Sequence, residues 1–86
     1  MGKLIMKYQA AIEVFNDLAA GRVPNKSSVI AGALSLEFAA LEYSSGDYDQ
    51  AYQGLRLLAC GGSFDLDDLG RARCAYFAEI LTKAQA

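Results

Sequence analysis

Apolar residues recur every three or four positions along most of this chain, the spacing expected for one face of an α-helix. This spacing predicts a first helix from Lys3 to Ala20, with Glu13 and Asp17 on its polar side. Its apolar positions are Leu4, Tyr8, Ala11, Ile12, Phe15, Leu18 and Ala19. We expect Gly21 to cap the C-terminus of this helix and end it.

The second predicted helix is apolar on two faces and has only a narrow polar sector. It is expected to start from an N-cap at Asn25 or Ser27 and to continue to Ser45, with Gly46 closing it. The first face contains Ile30, Leu34, Phe38 and Leu41, and the second contains Val29, Ala33, Leu36, Ala40 and Tyr43. A helix with so little polar surface is typical of one buried between neighbours. We therefore expect helix 2 to be the central element, with Ile30 and Leu34 covered by neighbouring helices or by a partner.

Two further helices follow at the same spacing. Helix 3 is expected to begin at Asp47 and to end at Gly61, with an inner stripe of Tyr48, Ala51, Tyr52, Leu55, Leu58 and Ala59. Helix 4 opens after Asp65, and Asp67 and Asp68 in its first turn favour the positive end of the helix dipole. Its apolar stripe is Leu66, Leu69, Tyr76, Phe77, Ile80 and Leu81.

Chain length and connection length set the predicted architecture. No window shows the strict alternation of a β-strand. A chain of 86 residues has room for one core, so residues 1–86 are expected to form a single helical domain. Because the connections are short, successive helices should pack antiparallel. The sequence therefore predicts an all-α fold, a compact bundle of four antiparallel helices.

The segment from the second half of helix 2 into helix 3 contains a small residue, a turn and an aromatic residue in a characteristic order. The positions are Ala39 as the small residue, Gly46 in the turn, Tyr48 as the turn aromatic, Ala51 at the close contact and Leu55 as the next large apolar residue. This arrangement resembles the middle of a tetratricopeptide repeat, over about 34 residues. The chain departs from that family's pattern at Ser35, Glu42, Leu58 and Ser63.

The resemblance implies tetratricopeptide-like geometry for the helix 2/helix 3 hairpin and peptide or protein binding on its first helix. The matching partner-binding positions are Ala33, Leu36, Ala40 and Tyr43, which form the second apolar face of helix 2. The alternative is that helix 1 or helix 4 covers this face within the monomer. Leu57 of helix 3 and Val14 of helix 1 lie on the polar sides of their helices and are further candidate partner contacts.

Two charged residues lie among apolar positions. Arg73 falls within the stripe of helix 4, and Glu37 lies between the two faces of helix 2. An unpaired buried charge is costly, so one hypothesis is a buried interhelical ion pair between Glu37 and Arg73. The alternative is that each side chain packs along its stem and reaches solvent with its charged end.

The sequence offers little for catalysis or metal binding. It has no histidine, and Cys60 and Cys74 do not have the spacing of a zinc site. We expect both cysteines to be reduced, with a disulfide between them as the alternative. No phosphate-binding glycine loop or nucleophile motif occurs. We therefore expect no enzyme activity, no cofactor and no small-molecule substrate.

Charge and hydropathy argue against nucleic-acid and membrane partners. Eight basic and ten acidic residues give a net charge of −2, without the basic patch expected of a nucleic-acid-binding protein. Helix 4 carries Arg71, Arg73 and Lys83, but as a DNA-recognition helix it would be acidic at its N-terminal end, which is the end that meets the bases. No run approaches the roughly 18 to 20 apolar residues of a membrane span, and the first residues lack signal-peptide features. The sequence predicts a cytoplasmic protein.

The apolar content of the chain favours an interaction role. The hydrophobic fraction is 53%, which is more than a small monomer needs for its core. We expect a non-catalytic protein-protein interaction module, an adaptor or small inhibitor that binds a larger protein through an apolar and tyrosine-bearing helical surface. Two alternatives remain open: a self-associating structural homodimer that buries Leu36 and Tyr43, and a weak nucleic-acid-binding helical protein.

Overall fold

A computed structural model describes residues 8–43, 46–63 and 66–85, and it describes side chains for residues 8–37, 46–63 and 66–84. These residues form four helices and no strand. The helices are α1 (Gln9–Ala19), α2 (Lys26–Tyr43), α3 (Gly46–Ala59) and α4 (Asp68–Gln85). The predicted all-α bundle is confirmed, because these helices pack against one another around one cluster of buried apolar residues.

The N-termini of α2 and α4 are capped by the side chains of Asn25, which was predicted for this role, and of Asp67, which was expected inside the first turn of helix 4. The backbone N–H of Ser28 donates to Asn25 Oδ1 at 2.8 Å, so Asn25 is the N-cap of α2, one of the two residues predicted for it. The backbone N–H of Gly70 donates to Asp67 Oδ1, also at 2.8 Å. Each cap satisfies a backbone donor that would otherwise have no partner within its helix.

The C-termini of α1 and α3 end at glycines in the left-handed backbone conformation. Gly21 has a φ of 81° and Gly61 a φ of 94°, values that other residues adopt at a cost. After α3, the N–H of Gly61 donates to the carbonyl of Leu58 and the N–H of Gly62 to that of Leu57. These paired bonds form a Schellman motif, which satisfies two of the last free carbonyls of the helix.

Several predicted helix boundaries differ from the structure, among them the start of α4, which was expected after Asp65 and lies at Asp68. The backbone of Tyr8, with a φ of −108° and a ψ of 15°, is not helical, so α1 begins at Gln9 and not at Lys3. The predicted stripe position Leu4 lies outside the described residues. Gly46 is the first residue of α3 and does not close α2, whose last residue is Tyr43. Ser45, the predicted end of helix 2, also lies outside the described residues.

The helices pack in the order α4, α1, α2, α3, and α3 and α4 share only a narrow contact. Two helices, α1 and α2, therefore have neighbours on two sides, whereas the sequence predicted helix 2 alone as the centre. The ring centroids of Phe15 in α1 and Phe77 in α4 are 5.2 Å apart. Because α1 is covered by both α2 and α4, its buried sector extends to Val14, which is fully buried. Val14 is a core residue and not a partner contact.

The backbones of α1 and α2 approach each other closely at Gly32. A Cβ atom added to Gly32 would lie 3.1 Å from Ala11 Cα and 3.2 Å from Leu55 Cδ1. Three helices thus meet at this position, and the missing side chain allows the backbones of α1 and α2 to come together.

Candidate functional site

The core-facing side of α2 is its predicted second face. Val29, Ala33 and Leu36 are buried in the central apolar cluster, and α2 packs there against α1 and α3. Leu36 is fully buried and is therefore not available to a partner in this fold, which corrects its assignment as a partner-binding residue. Ala33 is 8% exposed and also lines a groove described below, so its role in partner binding stays a prediction. The alternative, in which neighbouring helices cover this face, is the one observed. The side chains of Ala40 and Tyr43, the other two predicted positions, lie outside the described residues.

The solvent-facing side of α2 carries large apolar residues that were expected to be covered. Ile30 is 42% exposed and Leu34 is 59% exposed. The two residues are one helical turn apart, so their side chains are neighbours on the helix surface. Phe38 and Leu41 continue the same face in the sequence, but their side chains lie outside the described residues. Ile30 and Leu34 are therefore not covered within the described part of the chain, and their cover by a partner stays a prediction.

Ile30 and Leu34 line a shallow groove between α2 and α3, which we call the α2/α3 groove. Its volume is about 480 Å³. The α2 side consists of Ile30, Ala33, Leu34 and Glu37, and the α3 side consists of Tyr52, Arg56, Ala59 and Cys60. Arg56 extends over the Tyr52 ring, with its guanidinium carbon 5.9 Å from the ring centroid. The groove is thus apolar along α2 and has an aromatic and cationic wall on α3.

Charged residues lie on either side of Ile30 and Leu34 along α2. Lys26 begins the helix and Glu37 lies beyond Leu34, and both side chains are exposed. The ion pairs found among the described residues are elsewhere, between Arg22 and Asp17 and between Arg71 and Asp68. Lys26 and Glu37 therefore present unpaired charges to solvent within the described part of the chain.

The proposed buried pair of Glu37 and Arg73 is replaced by a surface arrangement. Both side chains are exposed. Arg73 Nη2 donates to Gln50 Oε1 at 3.1 Å, and the guanidinium carbon lies 5.8 Å from the centroid of the Phe77 ring. The stem of Arg73 therefore packs near the core while its charged end reaches solvent, as the alternative predicted.

A second hydrogen bond joins α3 and α4 at the same narrow contact. The Tyr76 hydroxyl donates to Asp47 Oδ2 at 2.6 Å. This hydrogen bond, with smaller contributions from desolvation and from the negative charge of Asp47, raises the pKa of Tyr76 above its ordinary value. Polar contacts between exposed side chains thus join α3 to α4.

Leu57 is exposed, as its position on the helix predicted, but it lies apart from the α2/α3 groove. It is 49% exposed and is not among the residues that line the groove. A Cβ atom added to Gly62 would come within 2.5 Å of Leu57 Cδ1, so the leucine side chain lies over the glycine that ends α3. This local contact at the helix end accounts for its position, and its role in partner binding stays a prediction.

The two cysteines are free and occupy different environments. Cys60 is exposed at the edge of the α2/α3 groove, whereas Cys74 is buried in the core. Burial raises the pKa of the Cys74 thiol, and the nearby positive charge of Arg73 offsets only part of this effect. The disulfide considered as an alternative is not formed.

We expect only Cys60 to react with a water-soluble disulfide reagent such as DTNB in the folded protein. The thiolate is the reactive form, and Cys74 is both shielded from solvent and less readily ionised. One equivalent of thionitrobenzoate per chain should be released under native conditions, and a second equivalent only after urea is added. In a Cys60→Ser variant the native reaction should disappear. Equal rates for both thiols in the folded protein would contradict the burial of Cys74.

Other features of the described residues give no separate site. No group of three or more His, Cys, Asp or Glu side chains is arranged to hold a metal ion in this part of the chain. None of the helices described is long and apolar enough to cross a membrane. A second apolar groove, of about 340 Å³, is lined in part by Leu18, Val29 and Leu58.

The tetratricopeptide-like geometry of the α2–α3 hairpin stays a prediction. α2 and α3 pack closely, and Ala51 and Leu55 are buried where the resemblance places a close contact and a large apolar residue. Burial of these residue types is also expected in any helical hairpin. Comparisons of the chain with protein-family models, with curated proteins and with solved structures found no match.

Proposed function

We propose that this chain is a cytoplasmic, non-catalytic protein-interaction module that binds a polypeptide in the α2/α3 groove. The observation that supports the proposal is the exposure of Ile30 and Leu34, two large apolar residues one turn apart. Single exposed apolar residues are ordinary, but neighbouring ones beside a groove are typical of an interaction surface. The role would be that of an adaptor or of a small inhibitor that covers a surface of a larger protein.

The shape of the groove favours a helical ligand. A groove between two helices accepts the apolar face of an amphipathic helix, with anchors at positions i and i+4 or i+3. Tyr52 and Arg56 line the α3 wall, and tyrosine and arginine are enriched among residues that contribute most to binding. Glu37 on the α2 side and Arg56 on the α3 side give the groove opposite charges that can orient a charged peptide.

Site-specific photo-crosslinking in the native host tests this proposal. A photoreactive amino acid placed at position 34 should give a discrete adduct with a specific polypeptide, because Leu34 lines the groove. The matched control is position 69, since Leu69 is a more exposed leucine, at 71%, on α4. If position 34 gives no adduct, or if both positions give the same adducts, the groove is not a specific binding surface and the proposal fails.

A further inference from the structure

We infer that the side chain of Arg73 is a releasable strap that closes a pocket above the core, and that Gln50 of α3 holds it closed. The pocket lies along α4 and has a volume of about 320 Å³. Of the residues that line it, Cys74 and Phe77 are buried in the core, whereas Arg73 is exposed. The strap therefore controls access from solvent to this part of the core, independently of the α2/α3 groove.

The side chain of Arg73 passes over the Phe77 ring before it reaches α3. The two residues are one helical turn apart on α4, so their side chains are neighbours on the helix surface. The guanidinium carbon of Arg73 lies 5.8 Å from the centroid of the Phe77 ring. Arg73 Nη2 donates to Gln50 Oε1 at 3.1 Å. One side chain thus starts on α4, crosses a core residue of the pocket and is bound at α3.

Tyr76 supports the strap from the next position along the same contact. Its ring centroid is 6.0 Å from that of Phe77, and its hydroxyl donates to Asp47 Oδ2 at 2.6 Å. Arg73 and Tyr76 are three positions apart on α4. Their partners on α3, Gln50 and Asp47, are also three positions apart but in the reverse order, as antiparallel helices require. The two hydrogen bonds therefore form one row between α3 and α4, and both lie beside the same core ring.

The strap is releasable because weak interactions hold it. The contact between α3 and α4 is narrow, so little apolar burial opposes its opening. Arg73 and Gln50 are both exposed, so water can replace the hydrogen bond between them, and its net contribution to stability is small. An exposed arginine also changes rotamer without movement of the helix backbone. The strap can therefore open while the four helices stay folded.

Cys74 is a natural reporter inside the pocket. Its thiol is buried, and burial raises its pKa, so the thiol reacts slowly while the strap is closed. When the strap opens, water and a small reagent reach the thiol through the pocket. The rate of alkylation of Cys74 in the folded protein therefore measures the fraction of molecules in which the strap is open.

Alkylation of Cys74 by iodoacetamide, followed over hours by mass spectrometry in a Cys60→Ser background, tests the inference. Iodoacetamide is small and uncharged, so changes in protein charge neither attract nor repel it. Gln50→Ala should raise the rate about fivefold, because it removes the hydrogen bond that holds the strap. The matched control is Gln53→Ala, the same substitution one turn further along α3 at an exposed residue, and it should leave the rate unchanged.

Arg73→Met separates release of the strap from a change in electrostatics. Methionine keeps an apolar stem over Phe77 but cannot donate a hydrogen bond to Gln50. The positive charge of Arg73 lowers the pKa of the Cys74 thiol, so loss of this charge would by itself slow the reaction. Release of the strap predicts the opposite result, a faster reaction.

The same rates at low urea concentrations distinguish opening of the strap from global unfolding. Opening of one side chain exposes little surface, so the rate should stay constant at low urea, whereas reaction through global unfolding accelerates with each addition. The inference is overturned by an unchanged rate in Gln50→Ala, by an equal increase in Gln53→Ala or by a slower reaction in Arg73→Met. A steep dependence of the rate on low urea would also overturn it.

Discussion

Replacing Leu36 by alanine is expected to lower the free energy of unfolding by about 3 kcal/mol. The side chain is fully buried in the central cluster, which also contains Phe15 and Leu55. Alanine removes apolar contacts and leaves a cavity that helices on two sides of α2 cannot fully close. Urea denaturation followed by circular dichroism measures the loss as a lower midpoint at an unchanged slope.

The matched control is Leu34→Ala, the same substitution two positions away on the same helix. Leu34 is 59% exposed, so its replacement should cost less than about 1 kcal/mol. The comparison holds helix propensity and side-chain chemistry constant and varies only the face of α2. Equal losses for the two variants would mean that both faces of α2 are equally buried. A larger loss for Leu34→Ala would mean that the core contains the opposite face of α2.

The positions at which helices end were largely predictable because their signals are local. An Asn or Asp side chain at the start of a helix accepts a hydrogen bond from the backbone N–H of the residue three positions later in the chain, as Asn25 and Asp67 do. A glycine that follows a helix can adopt a positive φ, as Gly21 and Gly61 do. These interactions involve a few adjacent residues, so no knowledge of the tertiary fold is needed to anticipate them. The starts of α1 and α4 are exceptions, because apolar spacing alone placed the first at Lys3 and the second was expected after Asp65.

The buried side of α2 was not predictable from its apolar residues. Its two faces are similarly apolar, so hydropathy favours neither for the core. The signal that the sequence analysis missed is residue size: Gly32 and Ala33 lie between Val29 and Leu36 on one side of the helix. Small residues allow the backbone of a neighbouring helix to approach, and the structure places that side against α1 and α3.

The orientation of α4 was also not predictable from its apolar spacing. That spacing placed Leu69, Arg73 and Tyr76 within one stripe, and all three are exposed. The residues that are buried are Cys74, Phe77, Ala78 and Leu81, so the core side of α4 contains small residues beside large ones. Residue size alone does not identify this side, because Ala72 and Ala75 are small and exposed. The α2/α3 groove was missed because Ile30 and Leu34 were expected to be covered.

Replacing Gly32 by valine is expected to destabilise the protein by about 3 kcal/mol, a large part of the total stability of a chain of this length. An added Cβ atom would already lie 3.1 Å from Ala11 Cα and 3.3 Å from Ala11 N. These atoms belong to the backbone of α1, so they cannot move aside as the end of a flexible side chain could. The two methyl groups of valine would therefore force α1 and α2 apart.

Thermal unfolding followed by circular dichroism should show a fall in the melting temperature of more than about 12 °C for Gly32→Val. The matched control is Gly46→Val at the first position of α3, where an added Cβ meets no atom within 4 Å. Both glycines lie within helices, so both variants share the entropic effect of replacing glycine by a β-branched residue. A loss at Gly32 no larger than that at Gly46 would mean that α1 and α2 do not cross at this point, and the burial of Leu36 would then need another explanation.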